Sequence, residues 1–321
     1  MSQHFVISRA EAGQPVGAVL RRRLGLSWKA ARRLVQEGKV RLAGAPCRDA
    51  TRRVAAGQRV EVQSRPAERP APAGAAGVVL RYADAHLVVV DKPPGLTTMR
   101  HAYEAAEFGA RGRRFLPPTL ADLLPGLLAS GGRGRPGRVI AVHRLDKATS
   151  GLVVFARTPA AAQHLGRQFR EHSTERRYLA VVRGHAKPQR IESWLAADRG
   201  DGRRGSGPPG EGQRAVTNVE VVEELGDFTL VECRLETGRT HQVRIHLGEA
   251  GTPLCGERVY DRPPHGRPLP DGSGAPRVAL HAATLGFEHP RTGKRMRWTA
   301  PLPRDLQTLL ERLRKNTSPK R

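Results

Sequence analysis

Cysteine, aromatic residues and acids are all scarce in this chain, and each shortage excludes something. The three cysteines, Cys47, Cys233 and Cys255, stand far apart and form no CxxC, which argues against a disulfide framework or a zinc site and fits a reducing compartment. Aromatic residues make up 4% of the chain, too few for a binder built on many stacking platforms, although one or two placed rings would suffice. No apolar run approaches membrane-spanning length. The N-terminal MSQHFVISRAEAGQ lacks the basic start and apolar core of an export signal, so a soluble cytoplasmic protein, working as a monomer, is expected. Against 55 Lys and Arg there are only 30 Asp and Glu, a formal charge of +25. That excess favours a polyanionic partner, most commonly nucleic acid; the bland alternative is a basic surface that merely keeps the chain soluble.

Several chemistries are also missing. Gly132, Gly134 and Gly137, and again Gly205, Gly207 and Gly210, formally satisfy GxGxxG, but neither set opens a helix after a strand, so a dinucleotide fold is rejected. Gly293 and Lys294 lack the remainder of a P-loop. Paired carboxylates for glycoside hydrolysis are absent from any compact motif. No cofactor and no metal are implied.

At 321 residues the chain can hold about two domains. Val16, Val19, Leu20 and Leu24 recur at helical spacing. So do Trp28, Ala31, Leu34 and Val35, after a cap at Ser27. Small strands follow at Val40 to Leu42 and Val60 to Val62. Through residue 65 there are 14 Lys and Arg against 4 acids, with Arg21, Arg22, Arg23, Lys29, Arg32 and Arg33 on the two helices, a density that suggests phosphate contacts. Residues 66–77 belong to a Pro, Ala and Gly-rich linker. A second domain, 78–321, opens with strands at Val78 to Tyr82 and His86 to Asp91. A helix at Thr119 to Leu128 is expected to be interrupted by Pro125. Thr158 and Pro159 begin a helix to about Glu171. Strands follow at Arg177 to Val182 and Glu192 to Ala196, then a Gly-rich loop at 199–213. Thr217 to Glu224 and Phe228 to Leu235 form a hairpin around Gly226 and Asp227. Residues 240–249 alternate like a strand yet end at Gly251 as a helix would, and are read as a helix; 285–288 and 295–299 are read as strands, and 306–313 as a closing amphipathic helix. The expected class is α+β, a mixed, largely antiparallel sheet with flanking helices.

One stretch organises the rest. AVHRLDKATSGLVVFAR, residues 141–157, sets the carboxylate of Asp146 between two apolar strands, in a connection crowded with His143, Arg144, Lys147, Thr149 and Ser150. A carboxylate held there needs a cation to meet it. An ion pair tying two strands together would satisfy that need as well as a catalytic group would.

HRLDKATSGL, His143 to Leu152, resembles the catalytic signature of the RluA family of pseudouridine synthases. TGRTHQVRIHL, around Arg239 to His246, resembles the family's second strong motif. DKPPGL at Asp91 to Leu96, RRYLAVVRG around Tyr178 and LHAATLGFEHPRTG at Leu280 to Gly293 lend support, and the N-terminal unit is similar to the αL-type RNA-binding domain named after ribosomal protein S-four. The resemblance implies an RNA pseudouridine synthase. Asp146 would be its acting carboxylate, kept ionised by the partner cation Arg244. Tyr178 would stack on the target base with a share in proton removal, and Arg144 would insert into the RNA where the uridine is extruded. Ribosomal RNA of the large subunit is the favoured substrate and transfer RNA the rival. His241 and His246, five apart, are read as structural or RNA-contacting rather than metal-binding.

The departures from the family pattern are residues 97–118, Glu257 where Asp is common, and Trp298 where Phe is common. None of them is expected to touch Asp146, Tyr178 or Arg244. The competing class is a non-catalytic RNA-binding or ribosome-assembly protein that keeps the fold. A hydrolase built on Ser150 and a histidine is a poorer reading, since TSGL lacks the GxSxG elbow.

Overall fold

The computed structural model describes residues 3–47, 49–63, 77–100, 116–130, 138–198, 203–262 and 266–317. The expected linker, the middle of the departing stretch at 97–118, and Gly132, Gly134 and Gly137 lie outside them but for Gly77. The chain divides into two compact units, Met1–Gly74 with Arg100–Pro118 and Ala75–Met99 with Thr119–Arg321.

The first unit runs β1 (Gln3–Val6), α1 (Val16–Leu24), α2 (Trp28–Gln36), β2 (Val40–Leu42), β3 (Ala45–Cys47) and β4 (Arg59–Val62). Ser27 caps α2 by accepting the Ala30 N–H at 3.2 Å. The strands form one antiparallel sheet in the order β1-β4-β2-β3. Val16, Val19 and Leu20 of α1 and Ala31 and Val35 of α2 close a core with Val40, Leu42, Val60 and Val62. Trp28, assigned by spacing to the apolar stripe of α2, instead stands 44% exposed at the helix start. β1 and β3 were not legible in the sequence, because β1 is mostly exposed and β3 is a three-residue piece containing Pro46.

The second unit contains β5 (Val79–Ala83), β6 (Leu87–Lys92), α3 (Leu120–Ser130), β7 (Ile140–Ala141), β8 (Ser150–Ala156), α4 (Pro159–Arg170), β9 (Glu175–Arg183) and β10 (Gln189–Ala196). After these come β11 (Gly205–Gly207), β12 (Gln213–Glu224), β13 (Phe228–Leu235), α5 (Gln242–Glu249), β14 (Leu280–Glu288), β15 (Arg295–Thr299) and α6 (Arg304–Thr317). They build an 11-stranded sheet, β11-β10-β12-β13-β9-β14-β8-β6-β5, with β15 beside β14 and β7 beside β8. Of the described pairings only β14 with β8 is parallel, so the expected mixed, largely antiparallel α+β class is what the chain adopts. The short β11 occupies part of what reads as a Gly-rich loop.

β6 and β8 are apolar at consecutive positions because both faces of the sheet are covered. Val88, Val90, Val153 and Phe155 meet Leu120, Leu124 and Leu128 of α3. The alternate residues Leu87, Val89, Leu152 and Val154 meet Ala161 and Leu165 of α4. Leu306, Leu309, Leu310 and Leu313 of α6 cover Val181 and Leu230.

α3 corrects one expectation, since it runs through Pro125 without a break. An interior proline costs about 3 kcal/mol. Leu120, Leu124 and Leu128 share one face and are all fully buried, each contributing roughly 1.5–3 kcal/mol, which outweighs the lost hydrogen bond.

β8 enters the sheet through Gly151, at φ +115°, where it pairs with Ala282 of β14. A Cβ here would lie 2.3 Å from the Ala282 carbonyl oxygen, so only glycine lets the loop ahead of it reach the sheet centre.

Candidate active site

The loop from His143 to Thr149 is held from behind by the DKPPGL turn and by Thr98 just after it. Thr98 Oγ1 donates to the Leu145 carbonyl at 2.8 Å and accepts the Leu145 N–H at 3.1 Å. The Gly95 N–H donates to the Lys147 carbonyl at 2.7 Å. Lys92, with no exposed surface, donates Nζ to the carbonyls of Pro93 and Leu96 at 2.9 Å and of Lys147 at 3.3 Å. Burial, then the Arg277 cation, draws its pKa down to about 7. The residues on both sides of Asp146 are therefore pinned, and its side chain, 18% exposed, projects from a fixed backbone.

Arg244 of α5 reaches it. Nη1 lies 3.4 Å from Asp146 Oδ2, although the two residues are 98 apart in sequence. The tighter partner of Arg244 is Glu257, which accepts from Nε at 2.7 Å and from Nη2 at 2.9 Å. Glu257 Oε1 also accepts the N–H groups of Arg258 at 3.0 Å and Val259 at 2.9 Å, so its carboxylate is a rigid clamp. Burial alone would raise the Glu257 pKa, but the Arg244 hydrogen bonds prevail and hold it below the ordinary carboxylate range. Burial likewise opposes the charge on Arg244, and its two carboxylate partners reverse the effect and hold the guanidinium more firmly protonated than usual. Tyr260 lies under the same guanidinium at 5.2 Å. These contacts correct the expectation that no departure from the family pattern touches the site: Glu257 fixes the arginine that faces Asp146.

His241 precedes α5 in the left-handed conformation, φ +60°, which turns its ring towards the loop. Nε2 stands 3.7 Å from Asp146 Oδ1 and Nδ1 is 2.8 Å from the Tyr260 hydroxyl. Burial outweighs the attraction of Asp146 and lowers its pKa. His246 turns the other way, onto Ser193 and Thr217, and is a buried structural residue. Gln242 anchors the helix start by donating to the Val216 carbonyl at 2.9 Å and accepting from Thr237 at 2.8 Å.

Tyr178 comes from β9, opposite Cys233 of β13 and Ala282 of β14. Burial pushes its phenol up to about 12. Together with Arg144, Leu145, Asp146, Leu235, Val243 and Arg244 it lines a slot of about 50 Å³. A larger cleft, about 530 Å³, shares Arg144, Asp146, Tyr178, Leu235 and Arg239 and carries Phe169, Arg170, His172 and Arg176 on its walls. Asp146, Tyr178, Arg244 and Arg144 are thus brought together, with Arg144 exposed at the mouth.

Two neighbours are not reactive groups. His143 stacks on Phe169 at 4.4 Å and accepts the Val154 N–H at 3.0 Å. Burial, then Arg176, lowers its pKa to about 3, so it stays neutral. Ser150 Oγ and His281 Nδ1 are 3.0 Å apart, a pair that the hydrolase reading would want. Ser150 is 1% exposed and His281 0%, and Arg277 donates to the same hydroxyl at 3.1 Å, so the pair is a sealed structural link.

The N-terminal candidates lie in the first unit. Arg22 and Arg23 both bind Glu11, at 3.0 and 2.7 Å. The Arg23 hydrogen bond, with the Ser8 N–H, holds that carboxyl well below its usual range. Arg33 pairs with Glu37 at 2.9 Å. Lys29 is exposed and Arg32 half-buried. Part of the basic face is therefore committed to internal pairs. Among the described residues no group of three or more His, Cys, Asp or Glu is placed to hold a metal ion. No described helix is long and apolar enough to cross a membrane.

The family model for RNA pseudouridylate synthase matches residues 86–249, a span containing Asp146, Tyr178 and Arg244. The chain belongs to that family. Its motifs place it with the RluA type, and it is an RNA pseudouridine synthase, an isomerase. It is 40% identical over 235 residues to ribosomal large subunit pseudouridine synthase D of Zymomonas mobilis, covering 72% of this chain and 71% of that protein. It is 35% identical over 312 residues to an uncharacterised RNA pseudouridine synthase of Mycobacterium bovis, covering 94% and 95%. The fold is similar to that of human RNA pseudouridylate synthase domain containing 4, with a TM-score of 0.57 and 24% identity over 73% of this chain and 92% of that one.

Sequence reasoning missed Glu257, Tyr260, Lys92 and Thr98 as parts of this synthase site, and left His241 open between a structural and an RNA-contacting role. GERVY, at Gly256 to Tyr260, was visible only as a departure from a family element, and nothing local says that its carboxylate faces an arginine 13 residues earlier.

Proposed function

We propose that this synthase isomerises uridine in large-subunit ribosomal RNA, with Asp146 as the acting carboxylate. The observation that carries the reading is the approach of Arg244 to Asp146 at the head of a cleft able to admit a nucleotide. The name of the Zymomonas mobilis relative supports the choice of RNA.

The reaction breaks the bond from ribose C1′ to N1, turns the freed uracil, forms a bond from C1′ to C5 and moves the C5 proton away while N1 gains one. Atoms and electrons balance within one nucleotide, so neither an electron carrier nor a nucleoside triphosphate enters. Asp146, negatively charged beside Arg244, either bonds to C1′ or assists departure of the base. Tyr178 keeps its proton at neutral pH, so it offers the uracil a stacking face and a hydroxyl rather than a ready phenolate. Arg144, exposed at the mouth, has the flat cation needed to fill the stack that the extruded uridine leaves.

Residues 1–65 serve as a separate RNA-binding domain of the S-four type, residues 66–77 as a linker and 78–321 as the catalytic domain. Lys29, Arg32 and the outward sides of Arg22, Arg23 and Arg33 supply the phosphate contacts. The enzyme works as a monomer in the cytoplasm. Mapping pseudouridine in large-subunit ribosomal RNA from cells with and without the gene tests the substrate. One or more uridines should lose modification without the gene and regain it on complementation. An unchanged ribosomal map, with a change in transfer RNA instead, would overturn the choice of RNA.

A further inference from the structure

The larger cleft carries more positive charge than Asp146 can balance. Arg144, Arg170, Arg176 and Arg239 line it, and Asp146 is the one carboxylate among the described lining residues. Arg176 stands out. It lies on β9 two residues before Tyr178, hence on the same face of the strand. It is 6% exposed and meets no carboxylate among the described residues. Its guanidinium donates Nη2 to the Glu236 carbonyl at 3.0 Å, while Nε, shut off from water, has no acceptor among the described residues. Burying a guanidinium without a counter-charge is costly, and such a group is retained where something anionic arrives to meet it.

The surroundings keep that cation in place. Phe169 lies beneath it at 5.7 Å, itself stacked on His143. Gly238 leaves it room, since a Cβ there would sit 2.4 Å from Arg176 Nη1. Arg239, the next residue, donates Nε to the Arg214 carbonyl at 3.0 Å and likewise has no carboxylate partner among the described residues. His172, at φ +58°, completes the wall. Burial above all lowers the pKa of Arg176, with Arg239 adding to it, and burial, then Arg176 and Arg239, lowers that of His172.

We propose that Arg176 and Arg239 form a phosphate site that grips the RNA backbone beside the extruded uridine, setting the distance from the sugar to Asp146. The proposal rests on the reading of the substrate as RNA bound in this cleft. A guanidinium fork matches two phosphate oxygens, whereas a base edge would leave most of its donors unused. Arg176 is a positioning residue here, because it acts on the backbone and not on the reacting atoms.

The probe is a large-subunit ribosomal RNA transcript, with binding measured across a salt series for the full-length wild type, Arg176→Met, Arg176→Lys and Arg239→Met. Arg176→Met should weaken binding about tenfold or more at low salt. The slope of log K against log salt should become shallower by about 0.7–0.9. Arg176→Lys should recover the slope but not the full affinity. A purely structural arginine would lower the melting temperature and leave the slope alone.

Should Arg176→Met fail to fold, Arg239→Met carries the same slope test. Phosphate ethylation interference on the wild type needs no variant, and it should mark a phosphate within two nucleotides of the modified uridine. Unchanged slopes in the folded variants, or no interference next to that uridine, would overturn the site. Tritium release from 5-tritiated uridine in the same transcript separates the two readings. Release with unchanged slopes removes only the phosphate site, and no release from ribosomal or transfer RNA removes the assigned function and the site with it.

Discussion

Glu257→Gln is the sharpest perturbation of the site that leaves Asp146, Tyr178 and Arg244 in place. Glu257 Oε2 accepts Arg244 Nε at 2.7 Å, while Oε1 accepts Arg244 Nη2 at 2.9 Å and the Arg258 and Val259 N–H groups at 3.0 and 2.9 Å. Glutamine has one acceptor oxygen. Whichever way the amide turns, its NH₂ faces a donor, and the Arg244 guanidinium keeps only its long contact to Asp146 as a charged partner. Breaking one side of a buried pair costs about 3–5 kcal/mol. Domains commonly hold about 5–15 kcal/mol in all, so the variant should fold at 25 °C with a clearly lowered urea midpoint. Freed from its clamp, Arg244 shifts relative to Asp146, and a displacement of about 1 Å can cost roughly a hundredfold in the chemical step.

Single-turnover tritium release beside a urea melt reads both effects for Glu257→Gln. Wild-type turnover in a destabilised variant would show that the clamp supports the fold alone, and unchanged stability would show that the pair is energetically silent. The pH dependence has a definite sign. The folded pKa of Glu257 lies below its ordinary value of 4.5, so its stabilisation is complete above about 4.5 and is lost as pH falls through the lowered value. Glu257→Gln should therefore flatten the acid limb of the stability profile.

Lys92→Met should leave three loop carbonyls without their donor, at about 1–3 kcal/mol each where water cannot replace it, and lower turnover more than RNA affinity, as paired release and binding assays would show. Gly151→Ala forces a Cβ to 2.3 Å from a carbonyl oxygen, so thermal denaturation should show a loss of several degrees or failure to fold. Ser150→Ala should cost about 1 kcal/mol in a urea melt and leave single-turnover release within a few-fold of wild type, since that hydroxyl is sealed from the cleft. Deleting residues 1–65 should weaken RNA binding and flatten its salt dependence more than it slows the chemical step.

The sequence was most informative where the determinants are local. Ser27 and Thr158 announce their helices because a cap acts on N–H groups two or three residues away. Gly226 and Asp227 announce a hairpin for the same reason. The continuous apolar runs of β6 and β8 reveal strands but not what lies on each face. Pro125 misleads because local propensity yields to three buried leucines. Asp146 and Arg244 were paired by resemblance, as no periodicity connects residues 98 apart. Glu257 was lost for a related reason. A carboxylate reads as surface until the fold supplies its partner, and here the helix α5 carries that partner into the core. The basic helices of the first unit show the opposite error, for Arg22 and Arg23 look free in sequence until Glu11 is seen buried beneath them.

The most direct measurement is tritium release from RNA labelled at carbon five of uridine, by wild type and Asp146→Asn, with affinity for the same RNA measured in parallel. Wild type should release label and Asp146→Asn should not, at nearly equal affinity. Release by Asp146→Asn at the wild-type rate would contradict the assignment of the carboxylate, and with it the reading of the cleft that Arg244 and Glu257 are arranged to serve.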